Sequence, residues 1–222
     1  MTTVLVTGFE PFGGDTENAS GRAVAELVRR KSDDVAVAIT ILPVSFRGVR
    51  EALNRAIATH HPDALICVGE AGGRSEVTPE KWASNRADAR IPDNTGDQPS
   101  NVLLDGGPLR LAARIDPDEL AAAIRAAGIR AHVSEDAGRF VCNTTFRAAL
   151  TLFDGPACFI HVPALRSSEA GAETGAGPQA RGGENHQSAA AHGCARYPRT
   201  FADLAAALEA AVGVAARRAT AE

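Results

Sequence analysis

Short apolar, β-branched runs alternate along this chain with segments of helical period, and that alternation restricts the folds open to it. The runs are Val4 to Thr7, Val35 to Val44, Ala64 to Val68 and Ala157 to Val162, with helices predicted from about Ser20 to Arg30 and from Phe46 to His60. Strands that recur singly, each followed by a helix, pair in parallel and need cover on both faces. The expected fold class is α/β: a single doubly wound domain over residues 1–222, with a mostly parallel twisted sheet and helices on both faces.

Finer signals fill in the frame. In the second helix Phe46, Val49, Leu53 and Ile57 form the stripe expected against the sheet. A third helix opens at Asp116 as cap, with Pro117 at the first position and Glu119 placed to close a capping box, and runs to about Ala127. A strand is predicted near Ala131 to Ser134, a helix beginning close to Cys142, and a final helix from Thr200, with Asp203 as capping partner, to about Arg218. The connection from Gly69 to Leu109 is longer than a compact domain spends on linkage, which marks it as a loop that carries function. Residues 166–199 turn to Gly, Ala, Ser, Glu and Gln and are expected to be mobile or weakly packed.

Composition excludes several classes. A chain of 222 residues can build a core without staples, and its formal charge of −4 comes from scattered residues with no basic stripe for nucleic acid. No apolar run approaches the ~20 residues that cross a bilayer, and the beginning MTTVLVTGFEPF reads as mature protein. Cys67, Cys142, Cys158 and Cys194 are widely spaced without a CxxC pair, which fits free thiols in a reducing cytoplasm.

One cysteine stands apart. In DAGRFVCNTTFRAAL the stripe Phe146, Ala149 and Leu150 follows Cys142 at helical spacing, so Cys142 falls at a helix start. Unpaired N–H groups and the helix dipole favour a thiolate there, and the same groups can bind a developing oxyanion. A buried structural cysteine is the competing reading. A nucleophilic thiol needs a base, and His161 ends an apolar strand just before Pro163, at the sheet edge where ligands bind in open α/β folds. His60, His61, His132, His186 and His192 sit at helix ends, a strand start or the polar stretch. The acid that would orient the imidazole lies among Glu70, Glu76, Glu80, Asp88 and Asp93, and spacing does not choose between them.

The glycine-rich segments do not suit phosphates. GFEPFGG puts Gly14 and Asp15 where a phosphate loop needs Lys and a hydroxyl, and GEAGGR lacks the GxGxxG pattern. His186, His192 and Cys194 lie in the polar stretch and no HExxH occurs, so neither a metal nor an organic cofactor is expected.

Taken in order, TGFEPFGG with Asn18 and Ser20, CVGEAGGR, TPEKWASN, ARIPDNTGDQP, AGRFVCN and FIHVP resemble the pyroglutamyl peptidase I family of cysteine peptidases, over roughly residues 3 to 165 and the last helix. The resemblance implies a triad of Cys142, His161 and Glu80, with Arg90 on the oxyanion and Phe9 and Phe12 sandwiching a lactam ring in a pocket that Glu70 borders. It implies hydrolysis of pyroglutamyl peptides through a thioester, without cofactor, by a cytoplasmic homo-oligomer, often a tetramer. The sequence departs from the family pattern in having Glu70 for Gln, Ala19 for Pro, Lys81 for Arg and Thr144 for His, in lacking the aromatic common near Arg147, and in the stretch after Leu165. A related small-amide amidase and a catalytically idle lactam-binding homologue are the alternatives those departures leave.

Overall fold

The computed structural model describes residues 1–30, 34–167 and 195–221. In chain order these hold β1 (Thr2–Phe9), α1 (Ala19–Leu27), β2 (Val35–Leu42), α2 (Val49–His60) and β3 (Ala64–Ala71). There follow β4 (Thr78–Pro79), β5 (Trp82–Ser84), β6 (Arg110–Ala112), α3 (Pro117–Ala126), α4 (Val141–Leu152), β7 (Ala157–Pro163) and α5 (Phe201–Ala219). The central sheet runs β2-β1-β3-β7-β4, parallel except for β4, which pairs antiparallel with β7. β5 and β6 form a separate antiparallel pair within the long connection.

The α/β architecture expected from the alternating runs is the one observed. Alternate residues of each central strand feed opposite cores: Val4, Val6, Ile66, Val68 and Ile160 face a cluster with α1, α3 and α5, while Leu5, Leu65, Cys67 and Phe159 face one with α2 and α4. This period-two division lets one apolar run serve two layers of helices. The crossover direction reverses between β2-β1 and β3, so the loops after β1 and β3 part above their C-terminal ends and leave a crevice.

Three local expectations change. α2 begins at Val49 rather than Phe46, because residues 46–48 form a turn in which Asp93 accepts the Phe46 N–H at 2.7 Å. Asp116 caps α3 by accepting from Asp118 N, but Glu119 closes no box; it pairs with Arg218 of α5, to which the stronger attraction of a guanidinium draws it. Ala131 to Ser134 is not a strand: Val77–Ala131 and Glu80–Ser134 are isolated bridges, since the segment follows the β4 loop without a continuous ladder. Pro163 does end the β7 ladder, opposite Ala71. The capping box of α5 between Thr200 and Asp203 is formed as expected.

Of the stretch expected to be weakly packed, residues 168–194 lie outside the described residues, and His186, His192 and Cys194 with them. Its described ends are bonded to the body. Arg130 N donates to Arg196 O at 2.8 Å, and Arg196 N donates to Gly128 O at 2.9 Å.

Candidate active site

α4 starts at the crevice. Phe140 caps it in an extended conformation with no side-chain hydrogen bond, so no side chain claims the first-turn N–H groups. Cys142, the second residue of the helix, is half-buried and lines a cavity of about 430 Å³ together with Phe9, Phe12, Asn18, Glu70, Arg90 and Phe140. The helix comes this close to the sheet because β3 has glycine at 69. A Cβ there would stand 2.8 Å from Cys142 Sγ and 2.8 Å from Phe159 Cζ. Gly69 is in turn the register partner of His161 on β7, so the sulfur rests against the residue paired with the imidazole.

His161 is buried, and its Nδ1 lies 2.7 Å from Glu80 Oε1. That bond fixes the ring and leaves Nε2 as the atom available to a reacting proton. Glu80 follows directly on the two-residue β4, which pairs Thr78 with His161 and Pro79 with Ile160, so the strand pairing itself delivers the carboxylate to the imidazole. The five acids are thereby sorted. Glu76 meets His132 at 2.9 Å, Asp88 accepts from Asn101 N at 3.2 Å, and Asp93 accepts four donors that shape residues 93–97. Glu70 pairs with Arg166 at 2.9 Å, and Glu80 alone among them contacts His161.

Electrostatics change one expectation. Burial, and then the charge of Glu80, push the Cys142 thiol up to about 12, against a lowering by Arg74. Burial also lowers the His161 pKa, opposed by the bond to Glu80. Burial thus opposes the standing thiolate that the helix start suggested, and opposes charging of the imidazole as well. For Glu80, burial acts upward but the His161 bond and charge, Ser134 and Arg74 prevail, and its pKa is lowered.

Several contributors escaped the sequence reading. Arg74, in the GEAGGR turn, meets Glu80 Oε1 at 2.5 Å and reaches Ser134 Oγ at 3.2 Å and Asp136 O at 3.0 Å, holding the acid from behind. Phe140 packs at a tilt against Phe12 and edge-on against Phe46, both at 5.1 Å between centroids, and adds a third ring to the cavity lining. Asn143, beside the cysteine, is fully buried and bonds Ser84 and Arg86, fastening the long connection to α4. The glycine before Glu70 was the available signal for a close approach.

Phe9 and Phe12 both border the cavity, Phe9 buried and Phe12 half-buried, and Arg90 is exposed at its edge. Two departures from the family pattern meet: the Ala19 N–H, which a proline would lack, donates to Glu70 Oε2 at 2.6 Å. Substituting Gly69 by Ala should displace Sγ and lower kcat on the enzyme's substrate by about 100-fold. Activity assays beside thermal melting would check this, and wild-type turnover in a folded variant would show that the close approach does not matter.

Comparison with known proteins follows the same lines. Residues 2–182 match the pyroglutamyl peptidase family model. The pyrrolidone-carboxylate peptidase of Clavibacter michiganensis is 44% identical over 168 residues, covering 73% of this chain and 79% of that protein. The one from Bacillus subtilis is 39% identical over 166 residues, covering 72% and 77%. Among solved structures, pyroglutamyl peptidase I of Bacillus amyloliquefaciens superposes with a TM-score of 0.81 at 31% identity, over 99% of this chain and 98% of that one. The pyrrolidone carboxyl peptidase from Thermococcus litoralis gives 0.80 at 29% identity, over 97% and 93%. With 181 residues matched by the family model and these relatives in agreement, this chain belongs to the pyroglutamyl peptidase family.

Proposed function

We propose that this protein is a cysteine peptidase that removes the N-terminal pyroglutamyl residue from peptides, with Cys142 as nucleophile, His161 as general base and acid, and Glu80 as the group that orients the histidine. The observation that carries the reading is the Glu80–His161 contact at 2.7 Å, one strand from a cavity-lining sulfur at a helix start. His161 Nε2 takes the Sγ proton as sulfur attacks the pyroglutamyl carbonyl carbon. The oxyanion so formed is stabilised by first-turn N–H groups and Arg90. The C–N bond then breaks, His161 returns the proton to the leaving amine, and water, deprotonated by the same imidazole, hydrolyses the thioester to free pyroglutamate and thiol.

The lactam is flat, neutral and lacks a free α-amine, so recognition falls to apolar faces and a few hydrogen bonds. Phe9 and Phe12 are the proposed faces, with Glu70 on the adjoining wall. A cytoplasmic homo-oligomer, a tetramer by the family resemblance, is the proposed setting. No described helix is long and apolar enough to cross a membrane.

The test is amine release from pyroglutamyl, prolyl and acetyl amides sharing one leaving group. The expected result is a preference for the pyroglutamyl amide of about 100-fold or more, because a site built around lactam hydrogen bonds rejects analogues that lack them. Faster turnover of the prolyl or acetyl amide would replace this reading with a different amidase, and no turnover of any of them would remove the enzymatic one.

A further inference from the structure

After β7 the chain turns back onto the rim of the cavity. Arg166 donates through Nη1 at 3.0 Å and Nη2 at 2.9 Å to the two oxygens of Glu70, and through Nη2 to Asp15. Ser167 donates from its N–H and its hydroxyl, each at 2.7 Å, to Glu17, which Arg22 also meets at 3.3 Å. Asp15, Glu17 and Glu70 all line the cavity. Two consecutive residues thus hold three carboxylates of one wall.

A neutral lactam offers an N–H to an acceptor but no positive charge to balance a free anion at its side. A desolvated carboxylate without a partner is costly, and it opposes negative charge building up on a neighbouring sulfur. Glu70 is only 15% exposed in its side chain and Arg166 25%, so their attraction is little screened by solvent.

Resting on the pyroglutamyl reading above, we propose that Arg166 is a positioning residue of the active site: its two-pronged clamp turns the Glu70 carboxylate into a fixed, charge-compensated part of the pocket wall. The groups facing Glu70 are Arg166 and Asp15, the Ala19 N–H at the start of α1, and Cys142 of α4. Those whose charge reaches Cys142 are Glu70 at the end of β3 and Glu80 with Arg74 around β4; His161 of β7 is the register partner of Gly69, against which the sulfur rests, and Asp88, Arg90 and Arg139 border the same cavity. Glu70 is among the charges that raise the Cys142 thiol, so uncovering it should suppress the sulfur further.

Three variants test the clamp: Arg166→Gln, Glu70→Gln and the double. Arg166→Gln should lower kcat/KM for a pyroglutamyl amide by about 10- to 100-fold, chiefly in kcat, as expected for a charge left unpaired beside the reacting atoms. At fixed pH it should also slow Cys142 alkylation by iodoacetamide, followed by peptide mass, by roughly three- to tenfold, the effect of half to one unit in thiol pKa. In the double variant the buried Glu70 carboxylate is gone and only Asp15, whose side chain is 51% exposed and screened by water, loses its partner, so both readouts should return to within about threefold of Glu70→Gln alone. If the double variant stays as impaired as Arg166→Gln, the arginine serves only to fasten the chain through Asp15 and the proposal is overturned. An Arg166→Gln variant with unaltered alkylation and turnover overturns it equally. Should Arg166→Gln not fold, Arg166→Lys read against Glu70→Gln/Arg166→Lys supplies the same coupling. Alkylation requires no turnover, so a wild type inactive on pyroglutamyl amides would sink the substrate reading while leaving the clamp to be judged by thiol reactivity.

Discussion

Replacing Cys142 by serine should lower kcat on a pyroglutamyl amide by about 10⁴-fold or more without unfolding the protein. In the proposed mechanism sulfur gives up its proton as it attacks, and burial and the charge of Glu80 push its pKa up to about 12. A serine hydroxyl is far less acidic still, and the same surroundings oppose its ionisation, so the imidazole would have to remove a much more tightly held proton. The pH profile carries an independent signature. Burial sets the His161 pKa below its ordinary 6.5, and a protonated imidazole cannot accept the Sγ proton. Activity should therefore fall as the pH is lowered through a midpoint below 6.5 and hold steady through neutrality. A serine variant retaining a tenth of wild-type turnover, or an acid limb centred at about pH 7 or above, would contradict this account of the pair.

The second large effect concerns stability. Arg147 is buried on α4 and donates from Nε and Nη2 to the two Asp105 oxygens, both at 2.7 Å, and from Nη2 to Pro108 O at 2.9 Å; its Nη1 has no partner among the described residues. Asp105 is 31% exposed in its side chain against 2% for Arg147, and the pair is correspondingly lopsided. Asp105→Ala strands a guanidinium in the interior and should cost about 3–5 kcal/mol, lowering Tm by roughly 6–20 °C. Arg147→Leu instead leaves a carboxylate that water can reach and an apolar side chain in an apolar place, and should cost under about 2 kcal/mol. Urea unfolding of both variants checks the asymmetry, and equal losses would refute it. The Arg147 bond also holds the Asp105 pKa down to about 2 from 3.8. A carboxyl depressed in the folded state contributes fully above its unfolded value and loses that contribution as the pH falls from about 4 towards 2. Asp105→Ala should therefore flatten the acid limb of stability in that window.

How much of this was legible beforehand depends on the range over which each signal acts. β1, β3 and β7 were readable because their central residues are apolar and pack on two faces, and α4 because a helical stripe follows Cys142. Ala131 to Ser134 has the composition of a strand but spends its hydrogen bonds on isolated bridges, which depend on a partner 54 residues away at Glu80 and leave no local mark. β4 is two residues long with Pro79 in it, invisible to any period. The choice of Glu80 from five acids rests on strand pairing across 81 positions and came from family resemblance, not from spacing. Arg74 and Arg166 were missed because each lies in a glycine-rich or polar stretch whose composition says nothing about where a guanidinium points. Asn85 shows the same limit: buried in the long connection, it accepts from Leu104 N and Asp105 N and donates to Asp105 O and Gly107 O, an ordering that only the folded loop reveals.

Without Thr78 and Pro79, the rim of β7 beyond Ile160 would offer unpaired backbone to any passing extended chain. The short strand that seals it is also the stem from which Glu80 hangs. Protection against self-association and alignment of the imidazole are thus two duties of one pair of residues, and selection cannot relax either without loosening the other.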